Sequence, residues 1–290
     1  VTNLHSITVA SGAKIEKVND VPADWNPYVV VTQWTTATAK EVTITASTDI
    51  FSLNGQPIDE SSYGSDKKTV TFTMPNDDVV LNGAITCTDL VMKDGWPEAS
   101  NNGTDKGTIS CSGNGWSYDH NTKTLTLTSN SGTYDFSLAN PQDTTKTTSA
   151  DSAVACAIVI ESGAEITGGT FEKKVTNNAG GIISGGTFQE TCSVTNSGTI
   201  KNGTFKDVCS VTNEGANATI ENGTFKNMCR VINNSTIKNG TFKNMCSVEN
   251  NTNGTISGGT FTYKVENNGI ITGGVFNRNA NLTGVTGGYN

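Results

Sequence analysis

The stretch Thr199-Ile200-Lys201-Asn202-Gly203-Thr204-Phe205-Lys206-Asp207-Val208-Cys209-Ser210-Val211-Thr212-Asn213 has a near copy in Thr236-Ile237-Lys238-Asn239-Gly240-Thr241-Phe242-Lys243-Asn244-Met245-Cys246-Ser247-Val248-Glu249-Asn250. The pattern is wider than these two. Seven segments place a Phe five residues after an Ile: Ile166–Phe171, Ile183–Phe188, Ile200–Phe205, Ile220–Phe225, Ile237–Phe242, Ile256–Phe261 and Ile271–Phe276. Successive Phe residues are 17, 17, 20, 17, 19 and 15 positions apart. A Val follows each of the first six, at Val175, Val194, Val211, Val231, Val248 and Val265, and two residues later comes Asn177, Asn196, Asn213, Asn233, Asn250 or Asn267. Four repeats add a Cys four residues after Phe: Cys192, Cys209, Cys229 and Cys246.

A helix does not account for this spacing. Gly, Asn and Thr are poor helix formers, and a five-residue Ile-to-Phe step does not recur on one helical face. Short strands do account for it. Cys209–Asn213 alternates apolar and polar, and Gly-Gly or Asn-Gly between Ile and Phe supplies a tight bend. A unit this small cannot bury Ile, Phe, Cys and Val alone, so it stacks on the next. The pattern predicts a parallel β-solenoid with one coil per repeat. Equivalent residues should stack about 4.8 Å apart, and seven coils should rise roughly 34 Å. The Asn file should form an amide ladder, each side chain bonding its neighbours above and below. Val-to-Ile segments vary from six to nine residues and mark a loop-bearing edge.

This region resembles the parallel β-helices of the pectin-lyase-like superfamily. It is more similar to the repeat arrays of large gut-bacterial surface proteins than to the enzymes. The resemblance covers roughly residues 108–290 and implies an architecture, not an activity. A 17-residue coil approaches the 18 of left-handed hexapeptide helices, but the five-residue step breaks a strict hexapeptide, and right-handed winding is favoured.

Outside the repeats, residues 1–86 alternate as short strands over Ser6–Val9, Tyr28–Val31, Glu41–Thr45 and Thr69–Phe72. Thr71-Phe72-Thr73-Met74-Pro75-Asn76-Asp77-Asp78-Val79-Val80-Leu81 resembles the close of internalin-type B-repeat and related bacterial-repeat domains, with Trp34 where those domains place a core Trp. That resemblance implies a small all-β spacer of a bacterial surface protein. The expected fold is therefore all-β: a small domain over 1–86, then a parallel β-helix over 87–290. Its regular coils cover about 156–290. Gly115-Trp116-Ser117-Tyr118-Asp119 and Thr122–Thr128 read as a turn and strand, with Trp116 and Tyr118 covering the first core layer.

Composition excludes several classes. With 19 Lys+Arg against 27 Asp+Glu the formal charge is −8, which argues against nucleic acid as a partner. Residues 1–155 hold 9 basic and 18 acidic residues, while residues 156–290 hold 10 and 9. The longest apolar run, Ala153–Ile160, is far short of the roughly 18 residues of a membrane span. No basic region precedes an apolar one at the start, so any signal peptide is expected to be already removed. After Phe276 the polar tail suggests a chain that continues, a last coil that caps itself, or one that rests on a partner.

Seven Cys is an odd number. The four stacked ones read as reduced packing residues, since parallel inward side chains seldom present a disulfide dihedral. No His or carboxylate joins them and no Cys-x-x-Cys occurs, so no metal is expected. Cys87 and Cys111 are left open as a pair or as two thiols. No cofactor is implied.

The chain leans away from being an enzyme. His5 and His120 lie outside the repeats, and Gly-x-Ser-x-Gly, phosphate-loop and His-Glu-x-x-His patterns are absent. Asp77-Asp78 sits in a turn. One weak catalytic pair remains. Glu190 and Asp207 both lie two residues after Phe in neighbouring coils, near enough for glycosidase chemistry, with solvated corner residues as the plain alternative. A binding surface is more legible. Lys206, Lys226 and Lys243 follow Phe on consecutive coils, and Lys201, Glu221 and Lys238 follow Ile. If both files face one side they form a basic stripe that an acidic polysaccharide would neutralise. The alternative is splayed, solvated lysines with Glu221 as counterion. Trp96, between Gly95 and Pro97, and also Trp25 and Tyr28, are candidates to stack on a sugar ring or to serve the core. The expectation is a secreted or cell-wall-attached bacterial surface protein that binds a polysaccharide or another surface protein, or acts as a spacer. A polysaccharide lyase or glycoside hydrolase is the alternative.

Overall fold

In the computed structural model the described residues are 4–9, 15–18, 21–22, 28–32, 41–47, 50, 52–54, 56–58, 68–73, 79–81, 85–86, 89–101, 106–129, 132–143, 145, 148–277 and 282–283. The chain divides into two compact units, one of residues 1–86 with Ile109–Ser112, the other of Cys87–Thr108 with Gly113–Asn290. His5's side chain, Trp25, Trp34, Asp77, Asp78, Cys87 and the side chain of Tyr28 lie outside the described residues.

The first unit is built on two sheets. Leu4–Val9 pairs antiparallel with Tyr28–Thr32 and parallel with Val79–Leu81, which pairs in turn with Ser52–Leu53. Glu41–Ala46 lies between Ile15–Val18 and Thr69–Thr73, antiparallel to both. The alternation read in the sequence decides which side is covered. Val42, Ile44 and Ala46 are buried with Ile7, Ile15, Val70, Val79 and Leu81, while Thr43 and Thr45 point the other way and bond Thr71 and Thr69 hydroxyl to hydroxyl.

The second unit is a parallel β-solenoid of three faces. Most coils run through a two-residue strand ending in Ile, a two-residue strand ending in Phe, and a strand of three or four residues that carries the Val and ends in Asn; the first Ile strand, Glu165–Gly168, is longer. The register is the one the repeat predicts: Ile200 pairs with Ile220, Phe205 with Phe225, Val211 with Val231 and Asn213 with Asn233. Phe171, Phe188, Phe205, Phe225, Phe242, Phe261 and Phe276 form one file with ring centroids 4.6–4.9 Å apart and planes within 16° of parallel. Aromatic pairs left to themselves favour offset or edge-on geometry, so this alignment is imposed by the strand spacing. The bend before each Phe needs glycine: Gly203, Gly223 and Gly240 have φ of 135–139°, and a Cβ there would meet the following Phe ring at 3.1–3.2 Å.

The amide ladder forms as expected. Asn177, Asn196, Asn213, Asn233 and Asn250 each donate through Nδ2 to the Oδ1 of the Asn above, at 2.7–2.8 Å. All five are fully buried. Cys192, Cys209, Cys229 and Cys246 are free, buried thiols forming their own file.

The first layer is closed by a hairpin of Trp116–Asp119 and Thr124–Leu127, whose second strand pairs parallel with Ala157–Ile160. Trp116 and Tyr118 are 3% and 2% exposed, as a covering role requires. One earlier coil was hidden in the sequence. Tyr134 pairs with Ile166 in the Ile position, and Phe136 meets Phe171 edge-on at 5.6 Å. At the other end Ile270 and Val275 are 58% and 64% exposed.

Candidate functional site

Strand alternation points Phe inward, so its neighbours on either side face outward. Thr204/Lys206, Thr224/Lys226 and Thr241/Lys243 therefore stand in register on one face, at the rung spacing set by the Phe file. Lys206 lies 3.1 Å from Asp207, while among the described residues Lys226 and Lys243 make no ion pair within 4 Å. The other lysines are differently placed. Lys238 contacts Glu221 at 3.1 Å and Lys201 lies 3.8 Å from Glu165, so the file after Ile carries its own counterions.

Glu190 and Asp207 both occupy a corner in left-handed backbone, with φ of 56° and 57°. Asp207 accepts from Asn227 Nδ2 at 2.9 Å, and Asn227 accepts from Asn244 at 3.3 Å. The Asn227 amide, then the Lys206 ammonium, hold the Asp207 carboxyl below its ordinary range. A general acid needs the opposite shift. Glu190 is exposed. Trp96 sits on the hairpin Met92–Lys93/Trp96–Pro97, edge-on to Tyr118 at 6.1 Å, with the Lys123 ammonium 5.9 Å from its ring centroid. It is half-buried there.

A cleft that sequence reasoning missed adjoins the Lys file. Its volume is about 690 Å³, and its floor is the outward side of the first two Phe strands, with Thr170, Glu172, Thr187 and Gln189. Its wall is Ser137 and Ala150–Ala153, the base of an excursion pinned by the Leu138–Ser149 bridge. Glu172 accepts from Gln189 Nε2 at 2.9 Å, and Asp151 accepts from the Asp94 N–H at 3.1 and 3.2 Å. The available signal was compositional: the position after Phe changes from Glu172 and Gln189 to lysine just where the solenoid leaves the long excursion.

The thiols offer no nucleophile. Burial pushes the Cys156 thiol up to about 12. The Cys209 thiol beside it, then burial, raises Cys192, whose single thiol proton points to the Lys173 carbonyl at 3.1 Å. Among the described residues no three His, Cys, Asp or Glu side chains gather to hold a metal ion, and no helix is long and apolar enough to cross a membrane.

No protein-family model, curated protein or solved structure matches this chain.

Proposed function

We propose that the chain is a non-catalytic bacterial surface protein, secreted or wall-attached, whose solenoid binds an acidic polysaccharide or similar surface polymer along its Phe face. In this reading the solenoid is of the right-handed, pectin-lyase-like kind, and the first unit is a bacterial-repeat spacer. One observation carries it. Lys206, Lys226 and Lys243 stand in register on adjacent rungs, and two of them make no ion pair among the described residues. A rung is close to the length of one sugar in an extended polysaccharide, so the carboxylates that a two-fold chain returns to one face would meet ammonium groups two rungs apart, as at Lys206 and Lys243. The face is half-exposed, flat and lined with Thr hydroxyls, which suits a polar chain better than an apolar one.

The test is binding of sized polygalacturonate and of a neutral glycan panel to the whole chain. Acidic chains should bind, and K226Q/K243Q should weaken binding by roughly tenfold at low salt, less at physiological salt. Equal binding of neutral and acidic glycans, or an unchanged double variant, would count against it. Cell fractionation of the native source tests the location.

A hydrolase or lyase is the second reading. The cleft favours it, because Asp151 and Glu172 both line it. A reducing-end or unsaturated-product assay decides: turnover lost in D151N or E172Q would support the enzyme.

A further inference from the structure

Four of the large apolar side chains exposed on the described residues share one corner of the solenoid. Val208 is 61% exposed and Met228 and Met245 are each 54% exposed, all at the third residue after Phe on consecutive coils. Tyr263, 43% exposed, stands at the same corner one coil on. Their backbone is unusual. Asp207-Val208, Asn227-Met228 and Asn244-Met245 are consecutive left-handed pairs, with φ between 51° and 71°. Side chains avoid this region, β-branched ones most of all.

The fold does not require that conformation. The corners Phe171–Val175 and Phe261–Val265 are two residues shorter and contain no positive-φ residue. Strain kept where it is not needed for winding points to a role at the surface. The corner is also held firmly. The Val208 N–H donates to Asn227 O at 3.2 Å, the Met228 N–H to Asn244 O at 3.1 Å, and the Asp207–Asn227–Asn244 side chains bond in series.

Each of these rungs carries two chemistries: an ammonium at Lys206, Lys226 or Lys243, and two residues later an apolar side chain. A partner has to match both at a whole number of rungs, each the 4.6–4.7 Å spacing of the Phe rings inside. An extended peptide presents same-face side chains every ~6.6 Å and falls out of step. A bilayer has no repeat to match. A two-fold chain of pyranoses with a rise of about one rung per residue brings like substituents back to one face every second rung, and so keeps step with both files. Resting on the glycan reading above, we propose that this corner recognises an acidic polysaccharide whose sugars also carry apolar substituents, O-acetyl groups, with carboxylates on the lysine file and acetyl methyls on Val208, Met228 and Met245.

Two polymers separate the ideas: polygalacturonate, and the same preparation partly O-acetylated with its carboxylates intact. The whole chain should bind the acetylated polymer roughly tenfold more tightly, since each acetyl methyl is removed from water on binding. In M228S/M245S that ratio should fall to about one, with the unfolding midpoint measured to show that the fold is kept. A ratio near one in the parent chain overturns this inference and leaves the glycan reading standing, as does a ratio that survives in M228S/M245S. Absence of binding to either polymer overturns both.

Discussion

Asn177 donates its side-chain N–H to Asn196 Oδ1 at 2.7 Å, yet its own Oδ1 is buried without a partner. The cause lies one coil below, where Ile160 pairs with Asn177 and brings no amide. The ladder therefore has an unsatisfied acceptor at its foot, while every rung above it both donates and accepts. Interior and terminal rungs should differ accordingly. Asn213→Leu removes both amide–amide bonds of its rung and one to the Thr236 carbonyl, and strands the Oδ1 of Asn233, so urea unfolding should show a loss of about 3 kcal/mol. Asn177→Leu breaks one rung of the ladder and removes the existing orphan, but it strands the Asn196 Oδ1 in its place, so the number of orphans is unchanged and about 1 kcal/mol is expected. Equal losses would contradict the ladder's direction.

The Phe file gives a second gradient. Phe225 is fully buried between rings at 4.7 and 4.6 Å, whereas Phe276 is half-buried at the last described rung. Phe225→Ala should cost about 3–5 kcal/mol and Phe276→Ala distinctly less. Thermal or urea denaturation of the two variants side by side checks this.

Val208 offers a gain. Its φ of 71° is unfavourable for a β-branched residue, and its side chain is largely in water. Val208→Asn keeps the corner with a residue that tolerates left-handed backbone and should stabilise the chain by about 1 kcal/mol. A lower unfolding midpoint would show that the valine makes contacts its exposure hides.

The thiol file should make the fold sensitive to alkali. Folding raises the pKa of Cys156, chiefly by burial, and that of Cys192, chiefly through the neighbouring Cys209 thiol. For Cys209 and Cys229 the thiol below lowers the pKa most of any single neighbour, but the thiol above and burial together outweigh it, so both are raised as well. Such groups contribute stability that is complete below the unfolded pKa, near 8.5, and is lost as pH climbs toward the folded value. Above pH 9 each buried thiol should remove up to ~1.4 kcal/mol per pH unit. Unfolding followed from pH 7 to 10.5 should show this fall, and a chain with Cys192, Cys209, Cys229 and Cys246 replaced by Ala should show a shallower one.

The regular coils were legible because their physics is local and repeated: Ile, Phe, Val and Asn recur at spacings that only stacked strands satisfy. The first coil escaped because Phe136 follows Tyr134 by two residues instead of five, with the excursion from Ser137 to Ala150 interrupting the count. The left-handed corner escaped for another reason. Asn227-Met228 has an ordinary first residue for such backbone and a surprising second one, so nothing in the sequence marks both as left-handed. The cleft was not legible at all, because its floor and wall come from residues distant in sequence and polar in type. Of the lysines, the sequence supplied the files and one of their counterions. Glu221 was expected as the counterion of the stripe and pairs with Lys238, while the approach of Glu165 to Lys201 skips a coil.

The identical register of every coil has a genetic corollary. Asn222–Cys229 and Asn239–Cys246 read the same residue for residue. Unequal crossing-over between such near-copies would delete or duplicate whole coils, and each newcomer would find its seat already shaped by its neighbours. Rod length is then a quantity that recombination can adjust in discrete steps, without inventing any new fold.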